Sequence, residues 1–479
     1  MQARQRRFVV PTLFALLAVV LGWASVRAGA DPSPPRPASR GDRAEGPITP
    51  VLSARRVAGF LAAPIADAAL RARLDDVVAA SPGATCLTVS VGGRPVYEHN
   101  PDLPLVPASA QKLVTATAAL TQLGEGTKFR TRVLVAGAPS GGAVAGDLWL
   151  VGGGDPLLAT RDYVAHFANQ PQVHTSLEAL ADAVKAAGIT RVDGRVVGDE
   201  SRFDADRYPD PWPQRYIDQN QSGPLSALTV NDGFTTWPVR QAEGAEEETA
   251  AADPPRYAAE QFRRLLTERG VAVAGGADVG RAPAGSIEVA GIDSRPMRDV
   301  VREMLAESDN QTAELLVKEL GRVKGGAPTT TAGVKVVTTT MEQLGLAREG
   351  TGATDGSGLA EDNGTSCRLL MNVLDRGGPA SVLGRSLAVA GRTGTLAERF
   401  LDSAAKGRLR AKTGSLNTVT ALAGFVDALQ GPVLTFAYVA NGATISDSLL
   451  ELQEAMGGEL VAYPQGPPLA ALGPKERSR

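Results

Sequence analysis

Pro107-Ala108-Ser109-Ala110-Gln111-Lys112-Leu113 reads as a loop running into a helix, with Pro107 ahead of the first turn and an apolar run over 113–123 behind it. Ser109 and Lys112 stand three positions apart. On a helix their side chains share one face, about 5–6 Å apart, close enough for an amine to take a proton from a hydroxyl. At a helix N-terminus the unpaired N–H groups and the dipole favour developing negative charge. One turn can therefore supply a nucleophile, its base and part of an oxyanion site. The same spacing is common on solvated helix faces, and Ser403-Ala404-Ala405-Lys406 also fits it. The rest of the chain decides between these readings.

A Ser hydroxyl needs a base, an oxyanion site and groups that hold substrate. The chain has three His, of which His99 falls in a hairpin and His166 and His174 have no partner pattern. It has no Gly-x-Ser-x-Gly elbow, so Ser-His-Asp hydrolysis fits poorly. No His-Glu-x-x-His or paired-Cys pattern suggests zinc, and no cofactor or metal is expected. Gly152-Gly153-Gly154 invites a phosphate-loop reading, but no Gly-Lys-Ser/Thr follows it. A lysine-based solution fits better. Ser308-Asp309-Asn310 lies in a break between helical patterns, suited to pointing a hydroxyl and an amide into a cleft, although such residues most often serve as helix N-caps. Lys412-Thr413-Gly414-Ser415 lies in a strand pattern, where Gly lets a substrate backbone approach and Lys and Thr can meet a carboxylate. Arg392-Thr393-Gly394 is a near copy of it. Only nine of the 49 basic residues are Lys, so a Lys at such a position carries weight.

The chain has 479 residues and a net charge of −3, room for two or three domains and no reason to expect a nucleic-acid partner. Arg4, Arg6 and Arg7 precede an apolar run over 8–23 and Ala28-Gly29-Ala30, an export signal over 1–30 in outline. A cleaved signal and an uncleaved membrane anchor through residues 8–23 both remain open. Residues 31–50, rich in Pro, read as a linker, and 464–479 as a disordered tail. Cys86 and Cys367 can pair in an exported chain or sit apart as two small buried residues. An amphipathic helix is expected over 66–80, and a hairpin over 84–99 around Gly92-Gly93. Helices are expected over 297–306 and up to Leu320, with Gly321 ending the second, then from about Ser366 and over 446–456. Three strands over 408–415, 419–426 and 433–440 would join the hairpin in one antiparallel sheet. On that basis 51–130 and 296–463 form one discontinuous domain, and 131–295 leaves it and returns as an inserted second domain. That insert is expected to shape recognition more than chemistry.

In the order Ser-x-x-Lys, Ser-x-Asn, Lys-Thr-Gly the three motifs resemble penicillin-binding proteins and class A β-lactamases. The stretch around Ser109, with Leu150-Val151-Gly152-Gly153-Gly154-Asp155-Pro156, Asp355-Gly356-Ser357-Gly358-Leu359 and Arg410-Ala411-Lys412-Thr413-Gly414-Ser415-Leu416, is similar to the D-alanyl-D-alanine carboxypeptidase/endopeptidase family of low-mass, class C penicillin-binding proteins (peptidase family S13, the penicillin-binding protein 4 type). The match spans about residues 80–460. The resemblance implies an α/β (α+β) transpeptidase fold, a five-stranded antiparallel sheet flanked by helices, with a helical subdomain and a large insert whose third subdomain is reduced. It implies a serine DD-peptidase of the cell envelope or medium that acts on peptidoglycan peptides and is inhibited by β-lactams. Ser109 would attack the carbonyl between two D-alanines, with neutral Lys112 as base and Ser308 relaying a proton to the leaving amine. Asn310 would hold the substrate amide and Lys112; Lys412 would supply positive charge. Thr413 and Ser415, flanking Gly414, would hold the terminal carboxylate, and the N–H groups of Ser109 and Ser415 would form the oxyanion hole. A nearby lysine ammonium and partial burial should depress the Lys112 pKa. Trp212 and Asp218 are the nearest candidates for the family's peptide-greeting pair. Serine β-lactamase is the close alternative, but no Glu-x-x-Leu-Asn stretch follows Ser308; a catalytically idle wall-binding protein is the distant one.

Overall fold

The computed structural model describes residues 50, 53–167, 170–238, 248–429, 431–442, 444, 446–465 and 472–474. The leader over 1–30, all of the linker except Pro50 and most of the tail lie outside them. Of the described residues, those up to Ala58 and 472–474 form a small unit of their own, in which Ala54–Val57 forms a 3-10 turn; those from Gly59 to Gln465 form the main unit. Among the described residues no helix is long and apolar enough to cross a membrane.

In chain order the principal elements are α1 (Ala58–Ala80), β1 (Ala84–Val91), β2 (Arg94–His99), α2 (Gln111–Gln122), β3 (Arg130–Val135), β4 (Leu148–Val151), β5 (Val196–Asp199), β6 (Ala277–Val279), β7 (Ile287–Asp293), α3 (Met297–Ala306), α4 (Asn310–Leu320), α5 (Cys367–Gly377), β8 (Ala388–Val389), β9 (Leu409–Leu416), β10 (Val419–Asp427), β11 (Val433–Asn441) and α6 (Asp447–Val461). The first hairpin closes through Gly92 and Gly93 at φ +57° and +79°, the left-handed pair that a two-residue turn requires. β1 then pairs antiparallel with β11 from Ala84 opposite Asn441 to Val91 opposite Leu434. The two ends of the chain thus share one antiparallel sheet, in the order β8-β9-β10-β11-β1-β2.

This sheet has six strands where five were expected. The addition is the two-residue β8, which pairs only with Arg410 and Ala411 at the start of β9. Period-2 alternation divides the strands between two cores. Ala421, Ala423 and Phe425 face α2, α3, α4 and α5, while Leu422 and Val426 face α1 and α6. The helix expected over 66–80 starts earlier, at Ala58, and contains Pro64. α4 ends at Leu320 with Gly321 as its C-cap, as expected, but Gly321 keeps right-handed angles and the chain continues through a π turn to Gly326 at φ +80°.

Residues 130–293 build a separate five-stranded sheet in the order β6-β5-β4-β3-β7. Its first and last strands pair, Arg130 opposite Asp293, so the chain enters and leaves side by side. Helices Leu177–Ala186 and Pro254–Glu268 pack on it through Leu180, Val184, Phe262 and Leu266. Cys86 on β1 and Cys367 at the start of α5 form a disulfide, with Cα atoms 5.9 Å apart. That settles the pairing which the sequence left open.

Candidate active site

Ser109 lies in a 3-10 turn, Ala108–Ala110, one step before α2 rather than within it. The turn starts with Ala108 at φ +47°, a left-handed conformation that a non-glycine residue adopts at a cost of about 1–3 kcal/mol. Lys112 on the first turn of α2 is fully buried, and its Nζ is 2.9 Å from the Ser109 hydroxyl. The same amine donates to Asn310 Oδ1 at 2.6 Å and to the Ser357 carbonyl at 2.9 Å.

Ser308-Asp309-Asn310 fills the corner between α3 and α4. The N-cap reading is correct for one of its members: Asp309 accepts from Thr312 N at 3.0 Å. The cap leaves Ser308 and Asn310 to face the cleft. Ser308, also left-handed at φ +66°, accepts from Lys412 Nζ at 2.8 Å. Asn310 Nδ2 donates to the Gln221 carbonyl at 2.6 Å, which turns Oδ1 toward Lys112.

Lys412, fully buried, also donates to its neighbour's Thr413 carbonyl at 2.8 Å. Because the pairing with β8 ends at Ala411, β9 from Lys412 to Leu416 has no strand neighbour on that side among the described residues. An extended peptide can add to such an edge. Gly414 serves the chain's own packing: a Cβ there would lie 2.8 Å from the Pro107 carbonyl oxygen and 3.2 Å from Ala110 N. The missing side chain seats the Ser109 turn against the strand. Ser415 is exposed, and Thr413 Oγ1 donates to Thr395 Oγ1 at 2.9 Å. Thr395 directly follows the near-copy Arg392-Thr393-Gly394, so the residue next to that repeat touches the site.

Burial lowers the Lys112 amine from its usual 10.5 to about 8, against the pull of the Asp355, Asp309 and Glu314 carboxylates. The expected lysine–lysine repulsion falls instead on Lys412, which burial and then the Lys112 charge hold well below the ordinary lysine value. The reason is position: carboxylates surround Lys112, and Lys412 has none close enough to offset its burial.

The 355–358 turn is clamped from both sides. Glu314 on α4, fully buried, accepts from Ser357 N at 2.7 Å and Gly356 N at 3.0 Å. Thr115 on α2 donates to the Gly356 carbonyl at 2.7 Å. Gly358 at φ +90° passes so near the Ser109 turn that a Cβ would sit 1.9 Å from the Ala108 carbonyl oxygen. Neither Ser357 nor Glu314 was singled out as a site residue from sequence. Trp212 is buried and donates from Nε1 to Asp355 at 2.8 Å, and Asp218 is exposed, taking a hydrogen bond from Gln214. A cavity of about 290 Å³ opens beside Ser308 and Asn310, lined by Tyr163, Asp232, Glu248 and Glu303 among others. Burial pushes Glu303 up to about 8, with Glu307, Asp309 and Asp232 adding to it.

The model of the D-Ala-D-Ala carboxypeptidase 3 (S13) family matches residues 67–251 and 239–461. A carboxypeptidase of Mycobacterium tuberculosis is 32% identical over 387 residues, covering 77% of this chain and 78% of that protein. The D-alanyl-D-alanine carboxypeptidase of Actinomadura sp. (strain R39) is 29% identical over 443 residues, 78% of this chain and 79% of its own. The crystal structure of penicillin binding protein 4 from Haemophilus influenzae superposes with a TM-score of 0.67 at 21% identity, over 81% of this chain and 99% of that one. That protein is also known in complex with a β-lactam.

Proposed function

This chain belongs to the D-Ala-D-Ala carboxypeptidase 3 (S13) family, and from that membership we propose that it is a serine DD-peptidase acting on peptidoglycan stem peptides through a Ser109 acyl-enzyme. The observation that carries the reading is the set of contacts made by Lys112 Nζ with Ser109 Oγ and Asn310 Oδ1. A neutral amine has two hydrogens and one lone pair. The Asn310 and Ser357 carbonyl oxygens accept the hydrogens, and the lone pair is left for the Ser109 hydroxyl.

Ser109 Oγ attacks the carbonyl carbon between two D-alanines while its proton passes to Lys112. The carbonyl oxygen gathers charge toward the N–H groups of Ser109 and Ser415. The C–N bond breaks as the leaving amine takes a proton through Ser308, and water then hydrolyses the acyl ester. Lys412, Thr413 and Ser415 meet the terminal carboxylate on the open edge of β9. An arriving carboxylate favours the ammonium form of Lys412, and that charge in turn disfavours the ammonium form of Lys112. Substrate thereby helps to free the base.

Residues 51–130 and 296–463 act as the catalytic domain and 131–295 as an inserted one. The protein works outside the cytoplasm, secreted or held in the envelope, with either fate of residues 8–23. The Cys86–Cys367 bond, of a kind that persists in oxidising surroundings, supports this placement. β-Lactams acylate Ser109 in place of the peptide.

The test is labelling with a fluorescent penicillin, peptide mapping of the adduct, and hydrolysis of a diacetyl-Lys-D-Ala-D-Ala type peptide. The adduct is expected on the 108–112 segment, absent from Ser109→Ala, with slow release of penicillin and turnover of the peptide. An adduct on Ser403 overturns the assignment. Fast penicillin turnover indicates a β-lactamase, and labelling without peptide hydrolysis an idle wall-binding protein.

A further inference from the structure

Each of the two carbonyl oxygens that accept the Lys112 hydrogens is linked to a residue of the insert, one through the Asn310 amide and the other through Asp355. The Asn310 amide has its orientation set by the Gln221 carbonyl, which accepts from Nδ2 at 2.6 Å. Ser357 belongs to a turn organised by Asp355, a fully buried carboxylate. Asp355 accepts from Gly358 N at 2.8 Å, Ala360 N at 2.7 Å, Asn363 Nδ2 at 2.8 Å, Ser357 Oγ at 3.3 Å and, from the insert, Trp212 Nε1 at 2.8 Å. Trp212 itself belongs to one buried apolar cluster with Leu359 and Ala360, which follow that turn, and with Ala108 beside the nucleophile.

We infer that the inserted segment positions the general base: Trp212 holds Asp355, Asp355 fixes the 355–358 turn, and the Ser357 carbonyl of that turn aims the Lys112 amine at Ser109. Gln221 does the same for the other acceptor through Asn310. The tetrahedral amine has little freedom once two hydrogens are placed, so the lone pair is aimed by groups 100 and more positions away in sequence (the Trp212 contact to Asp355 spans 143). Trp212 is a positioning residue and touches no reacting atom. The inference rests on Lys112 as the base and departs from an insert that shapes recognition more than chemistry.

Trp212→Phe removes one N–H and keeps an aromatic ring in the same space. Three quantities are measured on the full chain: the rate of acylation by a fluorescent penicillin across about pH 6–10, KM for the D-Ala-D-Ala peptide, and the thermal unfolding midpoint. The limiting acylation rate should fall about 10- to 100-fold, because small misplacements of a reacting group have effects of that order. KM should stay within about two-fold, since the groups placed on the substrate carboxylate are untouched. The acid limb should move to higher pH. Asp355, Asp309 and Glu314 face Lys112 and favour its ammonium form; Lys412, itself held well below the ordinary lysine value, opposes it only when charged. An Asp355 carboxylate with one donor fewer is less neutralised and favours that form more. Asp355→Asn, where it folds, should move the limb the other way, because the favourable charge is gone.

An unchanged rate and limb in folded Trp212→Phe protein overturn the inference. So does a rate loss that tracks the unfolded fraction while the limb stays in place. Normal acylation by Lys112→Arg would overturn the base reading itself, a separate result in a separate variant.

Discussion

One amine with three oxygen neighbours, at 2.9, 2.6 and 2.9 Å, concentrates the chemistry at Lys112. With its pKa near 8, the ammonium form predominates below that value and the base form above it. A base must shed its proton to act, so acylation should rise with pH through about 8 and level off above. Arg stays protonated at any accessible pH. Lys112→Arg should therefore lose acylation almost wholly, general-base assistance being worth about 10²–10⁴-fold. Lys412→Arg places a permanent charge beside Lys112 and disfavours its ammonium form, so the acid limb should move to lower pH, with a raised KM and a smaller loss of kcat. Acylation rates of both variants against pH check this, and near-normal acylation by Lys112→Arg would refute it. The chain's preference for Arg agrees: 40 of 49 basic residues are Arg, yet both buried amines of the site are Lys.

Among the elements, β9 and the Ser109 turn depend on each other. The strand offers a free edge from Lys412 to Leu416, and the turn is pressed against it at Gly414. A methyl at Gly414 would meet the Pro107 carbonyl oxygen at 2.8 Å and Ala421 Cβ at 3.1 Å, so the turn or the strand must shift. Gly414→Ala is expected to lower stability by about 1–3 kcal/mol. Acylation of the folded protein should drop further, about 100-fold, since a displacement of this size moves the nucleophile from its base. Thermal unfolding and acylation rate measured on the same preparation check the pair of effects; wild-type acylation would show that the turn tolerates the shift. The same turn and the Ser308 corner both carry a left-handed non-glycine residue, and in each case the surrounding contacts hold it there.

At the scale of the molecule, a chain that leaves its sheet for some 160 residues has to be brought back in register. Three devices do this. β3 pairs with β7 at the entry and exit; α4 meets the insert through Lys318 with Asp204 and Glu319 with Arg202; and Cys86–Cys367 closes a loop of 281 positions that encloses the whole excursion. A loop of that length gives the disulfide an entropic contribution of up to about 5 kcal/mol. Cys86→Ala/Cys367→Ala should lower the denaturation midpoint accordingly. Acylation per folded molecule should be retained, because Cys86 on β1 and Cys367 at the start of α5 supply none of the hydrogen bonds made by the Lys112 and Lys412 amines. Equal midpoints for the bonded and bond-free proteins would show that the bond adds nothing to the packing of β1 on α5.

The residues the structure brings together at the site were legible where the chemistry depends on residue type and local spacing. Ser109 and Lys112 share a turn because they are three apart, and Ser308, Asn310 and Lys412 were named by the same kind of reading. Strands β9, β10 and β11 showed in their β-rich runs to within a residue or two. Other features carry no such mark. The Ser357 acceptor is a backbone carbonyl, which every residue has, and it meets Lys112 across 245 positions. Glu314 looked like one more helical Glu until its burial under two N–H groups gave it a partner. Trp212 drew attention for its residue type and proved to hold Asp355. Thr395, the sixth strand and the disulfide likewise depend on which distant segments meet. Local spacing named the groups proposed to react; the direction of the Lys112 amine, the proposed base, depends on the packing of the insert and the 355–358 turn against α2 and α4, because orientation is a property of contacts between segments that the chain brings together only on folding.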